Sequence, residues 1–173
     1  MTVASDKTLA TFHARHKSIM YPFVRRTKHN GVSHGLSCAG YDVRTKQKLR
    51  LYPGDFELAS TLEHFDMPTN YVGVVHDKST WARKGIAVQN TVLEPGWKGF
   101  LTLEITYHKP LSWFDNLMLT LFNLKFRKNY IIIDEGTAIA QILFYEVDEH
   151  VGTPYDGKYQ NQIDEPVSAI FEQ

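Results

Sequence analysis

At 173 residues the chain is long enough for one domain with a real core and short for two. Nineteen Lys and Arg balance nineteen Asp and Glu, leaving none of the basic footprint of a duplex-binding surface, so nucleic acid is not an expected partner. The lone Cys38 excludes an internal disulfide and a multi-cysteine metal site and suits a reducing compartment, the cytoplasm by default.

Taken in order, residues 1–20 read as a loosely attached arm or short helix. Lys7, His13, Arg15, His16 and Lys17 interrupt any apolar core, so this stretch does not read as a signal peptide. Small turn formers fill Gly31 to Gly40, after which Tyr41-Asp42-Val43-Arg44 alternates as a half-buried strand does. Lys48 to Tyr52 alternates likewise and stops at the turn Pro53-Gly54-Asp55, and Phe56 to Ser60 resumes the pattern. Met67-Pro68-Thr69-Asn70 breaks it before the β-prone run Tyr71 to Val75. Gly85 to Val88 leads to a further turn at Glu94-Pro95-Gly96-Trp97. Phe100 to Tyr107 is the clearest strand, with Leu101, Leu103 and Ile105 on the core face and Thr102, Glu104 and Thr106 on the other. Leu111 to Lys128 is the place for a substantial late helix. Within it, Leu111 to Phe126 is the one membrane suspect, shorter than a spanning helix needs and interrupted by Asp115, Asn116, Asn123 and Lys125. Tyr130 to Ile133 and Ala138 to Tyr145 bracket Asp134-Glu135-Gly136 as a hairpin would. Short strands punctuated by Gly and Pro predict a mostly β barrel or sandwich. The tail from Thr153 to Gln162 has the composition of a loop that folds over something.

Two places concentrate chemistry. Ser79 and Arg83 stand four residues apart, so one helical turn projects both from one face and offers amide donors to an anion; the plainer alternative is a capping Ser79 and a solvated Arg83. Glu104 lies in an apolar strand, where a carboxylate acquires partners or a raised pKa unless its face is solvated. No Gly-x-Ser-x-Gly elbow supports a serine hydrolase. Neither His64-Phe65-Asp66 nor His76-Asp77-Lys78 fits the zinc deaminase pattern, and His13 with His16 reads as an arm with exposed histidines, so no metal ligands are assigned.

From about Ser18 to Gln162 the chain resembles the dCTP deaminase branch of the trimeric dUTPase superfamily. Five stretches carry the resemblance in order: Gly35 to Arg44; Asp77-Lys78-Ser79-Thr80-Trp81-Ala82-Arg83-Lys84-Gly85-Ile86; Glu94 to Gly99 with Leu103-Glu104; Gly136 through Gln141-Ile142; and Tyr155 to Gln162. The resemblance implies a distorted β-barrel of the dUTPase-like, β-clip type that forms a homotrimer with shared active sites. The chain is then expected to comprise an N-terminal arm or short helix at 1–20, a barrel at 21–152 with an apolar insertion at about 111–128, and a flexible lid at 153–173.

The implied reaction is hydrolysis of dCTP to dUTP and ammonia without zinc, supplying dUTP for dUMP and dTTP synthesis. Glu104 would shuttle protons for the attacking water while Ser79 and Arg83 position water and base. Lys78, Lys158 and Tyr155 would meet the triphosphate, Glu94 the deoxyribose 3′-hydroxyl, and Thr80, Trp97 and Gln162 would complete the nucleotide site. Magnesium would arrive with the triphosphate, dTTP is a possible inhibitor, and no membrane partner is expected.

Three departures stand out. Lys78 replaces an Arg, exchanging a planar fork for a point charge. Glu94 replaces an Asp that dUTPases and bifunctional deaminases use to release pyrophosphate, and a displaced carboxylate favours deamination alone. Leu111 to Lys128 is longer and more apolar than the usual connection and either thickens a subunit contact or docks a protein. The rival readings are a dUTPase or bifunctional deaminase and a nucleotide-binding regulator without turnover.

Overall fold

The computed structural model describes residues 2–111, 113–122 and 130–171. The first half runs β1 (Thr2–Val3), α1 (Asp6–Ala14), β2 (Met20–Tyr21), β3 (Thr27–His29), β4 (Val32–Leu36), β5 (Tyr41–Arg44), β6 (Leu49–Leu51) and β7 (Phe56–Asp66). The second runs β8 (Tyr71–Asp77), α2 (Ser79–Ala82), β9 (Ile86–Val88), β10 (Val92–Leu93), β11 (Lys98–Tyr107), α3 (Trp113–Phe122), β12 (Ile131–Ile133) and β13 (Ala138–Glu146).

These elements make a mostly β fold, a distorted barrel of two main sheets. The larger orders its strands β10-β8-β13-β5-β4-β3, with β1 added to β13; the smaller orders them β2-β7-β11-β9. Alternation along β11 does what the sequence predicts on one side, since Leu101, Leu103 and Ile105 are all buried. Its other face is not open to solvent: Thr102 is buried, and Glu104 and Thr106 are half-buried. Phe65 and Ala59 from β7 meet them from the smaller sheet, and Val75, Ile142 and Phe144 close the core from the larger. Fully burying each such side chain contributes roughly 1.5–3 kcal/mol.

A buried ion pair ties the two sheets. Glu63 on β7 accepts from the Arg44 backbone N–H at 2.9 Å and from Arg44 Nε at 2.7 Å. Burial pushes the Glu63 carboxyl up and the guanidinium pulls it back.

Of the two readings of residues 1–20, the fold contains the short helix and not a loose arm: Ser5 caps α1, Leu9 is buried, and β1 pairs with β13 in the register Thr2 to Glu146. Two further sequence expectations are corrected. The Gly31 to Gly40 stretch, read as turn, contains β4, whose partners β3 and β5 supply the ladder that its small residues do not advertise. Asp134-Glu135-Gly136 turns the chain without forming a hairpin, because β12 pairs with β6 whereas β13 pairs with β5 and β8. A tight turn is a local signal; the choice of strand partner is not. The late helix is present as α3, and the remainder of that expectation, 123–128, lies outside the described residues.

Candidate active site

Glu104 lines a cavity of about 370 Å³ together with Leu58, Thr102, Glu94, Trp97, Tyr155 and Gln162 among others. β11 places Glu104 opposite Leu58 of β7, so an apolar neighbour helps to strip water from the carboxylate. Its Oε2 is buried without a hydrogen-bond partner, and burial pushes its pKa above the ordinary carboxylate range. A carboxyl so placed is suited to accept a proton and return it.

The tail forms one wall of this cavity. Gly99 bridges Gln162, Phe100 N–H donates to the Gln162 carbonyl at 3.0 Å, and Asn161 N–H donates to the Lys98 carbonyl at 2.8 Å. Gly99 has a φ of +139°, and a Cβ there would meet the Gln162 backbone nitrogen at 2.6 Å, so the docking of this segment requires glycine. Trp97 Nε1 donates to the Tyr159 carbonyl at 2.7 Å, and the Val167 N–H donates to Thr102 Oγ1 at 3.0 Å. Farther along, Asp164 forms an ion pair with Lys46, which holds its carboxyl below the usual range.

Lys78 and Ser79 lie in a different place, an open cleft that also includes Arg26, Ser33, Asp42 and Gln141. Ser79 and Arg83 do share one helical turn, since Arg83 N–H donates to the Ser79 carbonyl at 3.2 Å; the cap position is Lys78, not Ser79, and its side chain makes no capping bond. Arg83 itself faces a third hollow with Lys84, Tyr107, His108 and Tyr130. The three residues read as catalytic therefore line three separate depressions of one chain. Glu94, Trp97, Tyr155 and Gln162 gather around Glu104, as expected of one site. Thr80 and Lys158 are exposed and line none of the three; Lys158 Nζ sits 5.4 Å from the Tyr159 ring centroid.

Lys78 holds the least expected position. Its ammonium donates to Asp42 Oδ2 at 2.6 Å and to Ser33 Oγ at 3.2 Å, and both partners of the ion pair are buried. A lysine so far from its aspartate along the chain gives no spacing signal, so this pairing was not readable beforehand; nor were Thr102, Leu58 and Arg26 as lining residues.

The barrel, the half-buried glutamate and the docked tail together make one cavity built around a carboxyl of raised pKa. Residues 16–147 match the sequence model of the dCTP deaminase-like family, and the chain belongs to that family. It is 33% identical to a dCTP deaminase of Roseiflexus castenholzii over 94% of this chain and 96% of the relative. It is likewise 33% identical to a dCTP deaminase of Aromatoleum aromaticum, with the same coverage. Among solved structures, a dUTPase from phage phi11 of Staphylococcus aureus shares the fold, with a TM-score of 0.52 at 17% identity, covering 79% of this chain and 88% of that one.

Proposed function

We propose that the protein hydrolyses dCTP to dUTP and ammonia, with Glu104 as the proton shuttle. The observation that carries this reading is the half-buried Glu104, its Oε2 unpartnered and its pKa raised, in a cavity walled by the tail. The carboxylate takes a proton from water as the water oxygen bonds to C4 of cytosine. The carboxylate returns that proton to ring nitrogen N3, then moves the proton of the new C4 hydroxyl to the amino group, and ammonia leaves as the C4–N bond breaks and the C4=O bond forms. The Thr102, Glu94 and Trp97 side chains beside Glu104 would hold the nucleoside, and Tyr155 and Gln162 would cover it.

Ser79 and Arg83 line other depressions than Glu104, an arrangement that fits their assigned roles when a second copy of the chain brings them to Glu104, as in a homotrimer with shared sites. Magnesium would arrive carried by the phosphates, supplying charge neutralisation; the cleft carboxylates are already engaged, Asp42 by Lys78 and Asp77 by the Val88 N–H, so the phosphates themselves would supply its ligands. A phage phi11 dUTPase variant of the same fold is described with a structural Mg(II) ion. Free nucleotides as substrates and the unpaired Cys38 favour a cytoplasmic setting.

A second reading, further hydrolysis of dUTP to dUMP and pyrophosphate, rests on Glu94, which lines the same cavity as Glu104. Incubation with dCTP, dCMP or dUTP and Mg²⁺, followed by chromatography, separates the readings. From dCTP, deamination alone gives dUTP and ammonia and bifunctional turnover gives dUMP, ammonia and pyrophosphate; a dUTPase gives dUMP and pyrophosphate from dUTP only, and a regulator gives binding alone. Glu104→Gln is expected to abolish ammonia release while leaving dCTP binding in place; retained turnover overturns the role given to Glu104.

A further inference from the structure

We propose that Arg26 is the polyphosphate-binding cation of this site and that it sets a preference for nucleoside triphosphate over monophosphate. The inference rests on the reading of the Lys78 cleft as the phosphate half of the deaminase site, and it adds a residue outside the motifs that suggested that reading.

The cleft needs a cation that Lys78 does not supply. Two of the Lys78 ammonium donors are engaged by Asp42 and Ser33, and the Asp42 carboxylate at 2.6 Å cancels its charge locally. Of the charged groups that line the cleft, Asp42 and Asp77 are acidic and Lys78 and Arg26 basic. Without Arg26 the cleft is net negative, which opposes a polyanion. Arg26 is solvent-exposed, and among the described residues no carboxylate lies within ion-pairing distance of it. Its five donors are thus available as a fork, the geometry that suits phosphate.

The backbone that carries Arg26 is fixed. Leu36 N–H donates to the Val24 carbonyl at 3.0 Å, Val24 N–H donates to the Tyr41 hydroxyl at 2.9 Å, and Thr27 pairs with His34 across β3 and β4. Gly35 permits this approach: a Cβ there would lie 2.5 Å from the Val24 carbonyl oxygen and 2.9 Å from that of Arg25. Arg26 is therefore presented to the cleft from a clamped hairpin, while its neighbour Arg25 is exposed but does not line the cleft. That difference makes Arg25 a control for long-range field as against contact.

The test uses the full-length protein, its Arg26→Ala, Arg26→Lys and Arg25→Ala variants, and two readouts. In calorimetric titration with inorganic tripolyphosphate, Arg26→Ala is expected to weaken binding about 10- to 100-fold, the worth of a charge-assisted pair, with partial recovery in Arg26→Lys and little change in Arg25→Ala. In ammonia release, Arg26→Ala should lower the ratio of kcat/KM for dCTP to that for dCMP by a similar factor, the loss falling on KM. Equal, small effects of Arg25→Ala and Arg26→Ala on tripolyphosphate, or equal losses for dCTP and dCMP, overturn the proposal. If Arg26-dependent tripolyphosphate binding persists while the wild-type protein releases no ammonia, the deamination reading fails and the phosphate assignment stands. If ammonia is released but tripolyphosphate binding ignores Arg26, only the assignment fails.

Discussion

At the scale of single residues, the role proposed for Glu104 carries a cost. Its pKa is raised in the fold because burial disfavours the charged form, so the folded protein holds this proton to higher pH than the unfolded chain does. Stability from this group is accordingly greatest below the unfolded pKa and declines as pH rises through the folded one. Glu104→Gln, which removes the charge but keeps the shape, should therefore raise Tm relative to wild type at pH 8, and the gain should vanish as pH falls through the Glu104 titration. Thermal melts of both proteins from pH 4 to 8 check this; a gain that grows toward acid pH would show that the carboxylate is stabilised in the fold rather than strained. Glu104 was recognisable beforehand because a carboxylate within Phe100 to Tyr107 contradicts its surroundings, and that contradiction is written in neighbouring residues. The Lys78 to Asp42 pair was not, because nothing in the residues around a lysine shows that its charge is already taken by a carboxylate on another strand.

At the scale of elements, the contrast between β11 and the tail is instructive. β11 was legible because alternation is a property of the strand itself, although the half-burial of its second face came from the tail and from β7. The tail was legible as a cover by composition, but its register on β11 depends on Gly99, where side-chain space and φ both demand glycine. Gly99→Ala should dislodge residues 155–167 while leaving the barrel folded, and limited proteolysis should show it as accelerated cutting confined to the tail. Uniformly faster cleavage throughout the chain would mean that the glycine serves the barrel instead. The strand partners of β12 and β13 were missed for the opposite reason, since a turn of three residues constrains direction and not destination.

At the scale of the whole molecule, the separation of Ser79, Arg83 and Glu104 into different depressions makes a sharp demand on assembly. If the site is completed between copies, two inactive variants should complement. Glu104→Gln and Arg83→Ala subunits, mixed in equal amounts and exchanged at random, should restore about one quarter of the wild-type sites. The measurement is ammonia release from dCTP before and after exchange. No recovery, with mixed oligomers demonstrated, would place all three groups within one chain. Neither the motifs nor their order could have revealed which parts of the site one chain completes, because sequence proximity of Ser79 and Glu104 says nothing about which copy supplies each.

The hydrogen bond from Trp97 Nε1 to the Tyr159 carbonyl has an optical consequence. The indole is buried against the tail and lines the Glu104 cavity, so departure of the tail exposes it to water and shifts its emission to the red. Trp97 is thereby an intrinsic fluorophore for the docking of the tail. With Trp81 and Trp113 replaced by Phe, stopped-flow emission from Trp97 alone would time any release of the tail against ammonia release within a single turnover.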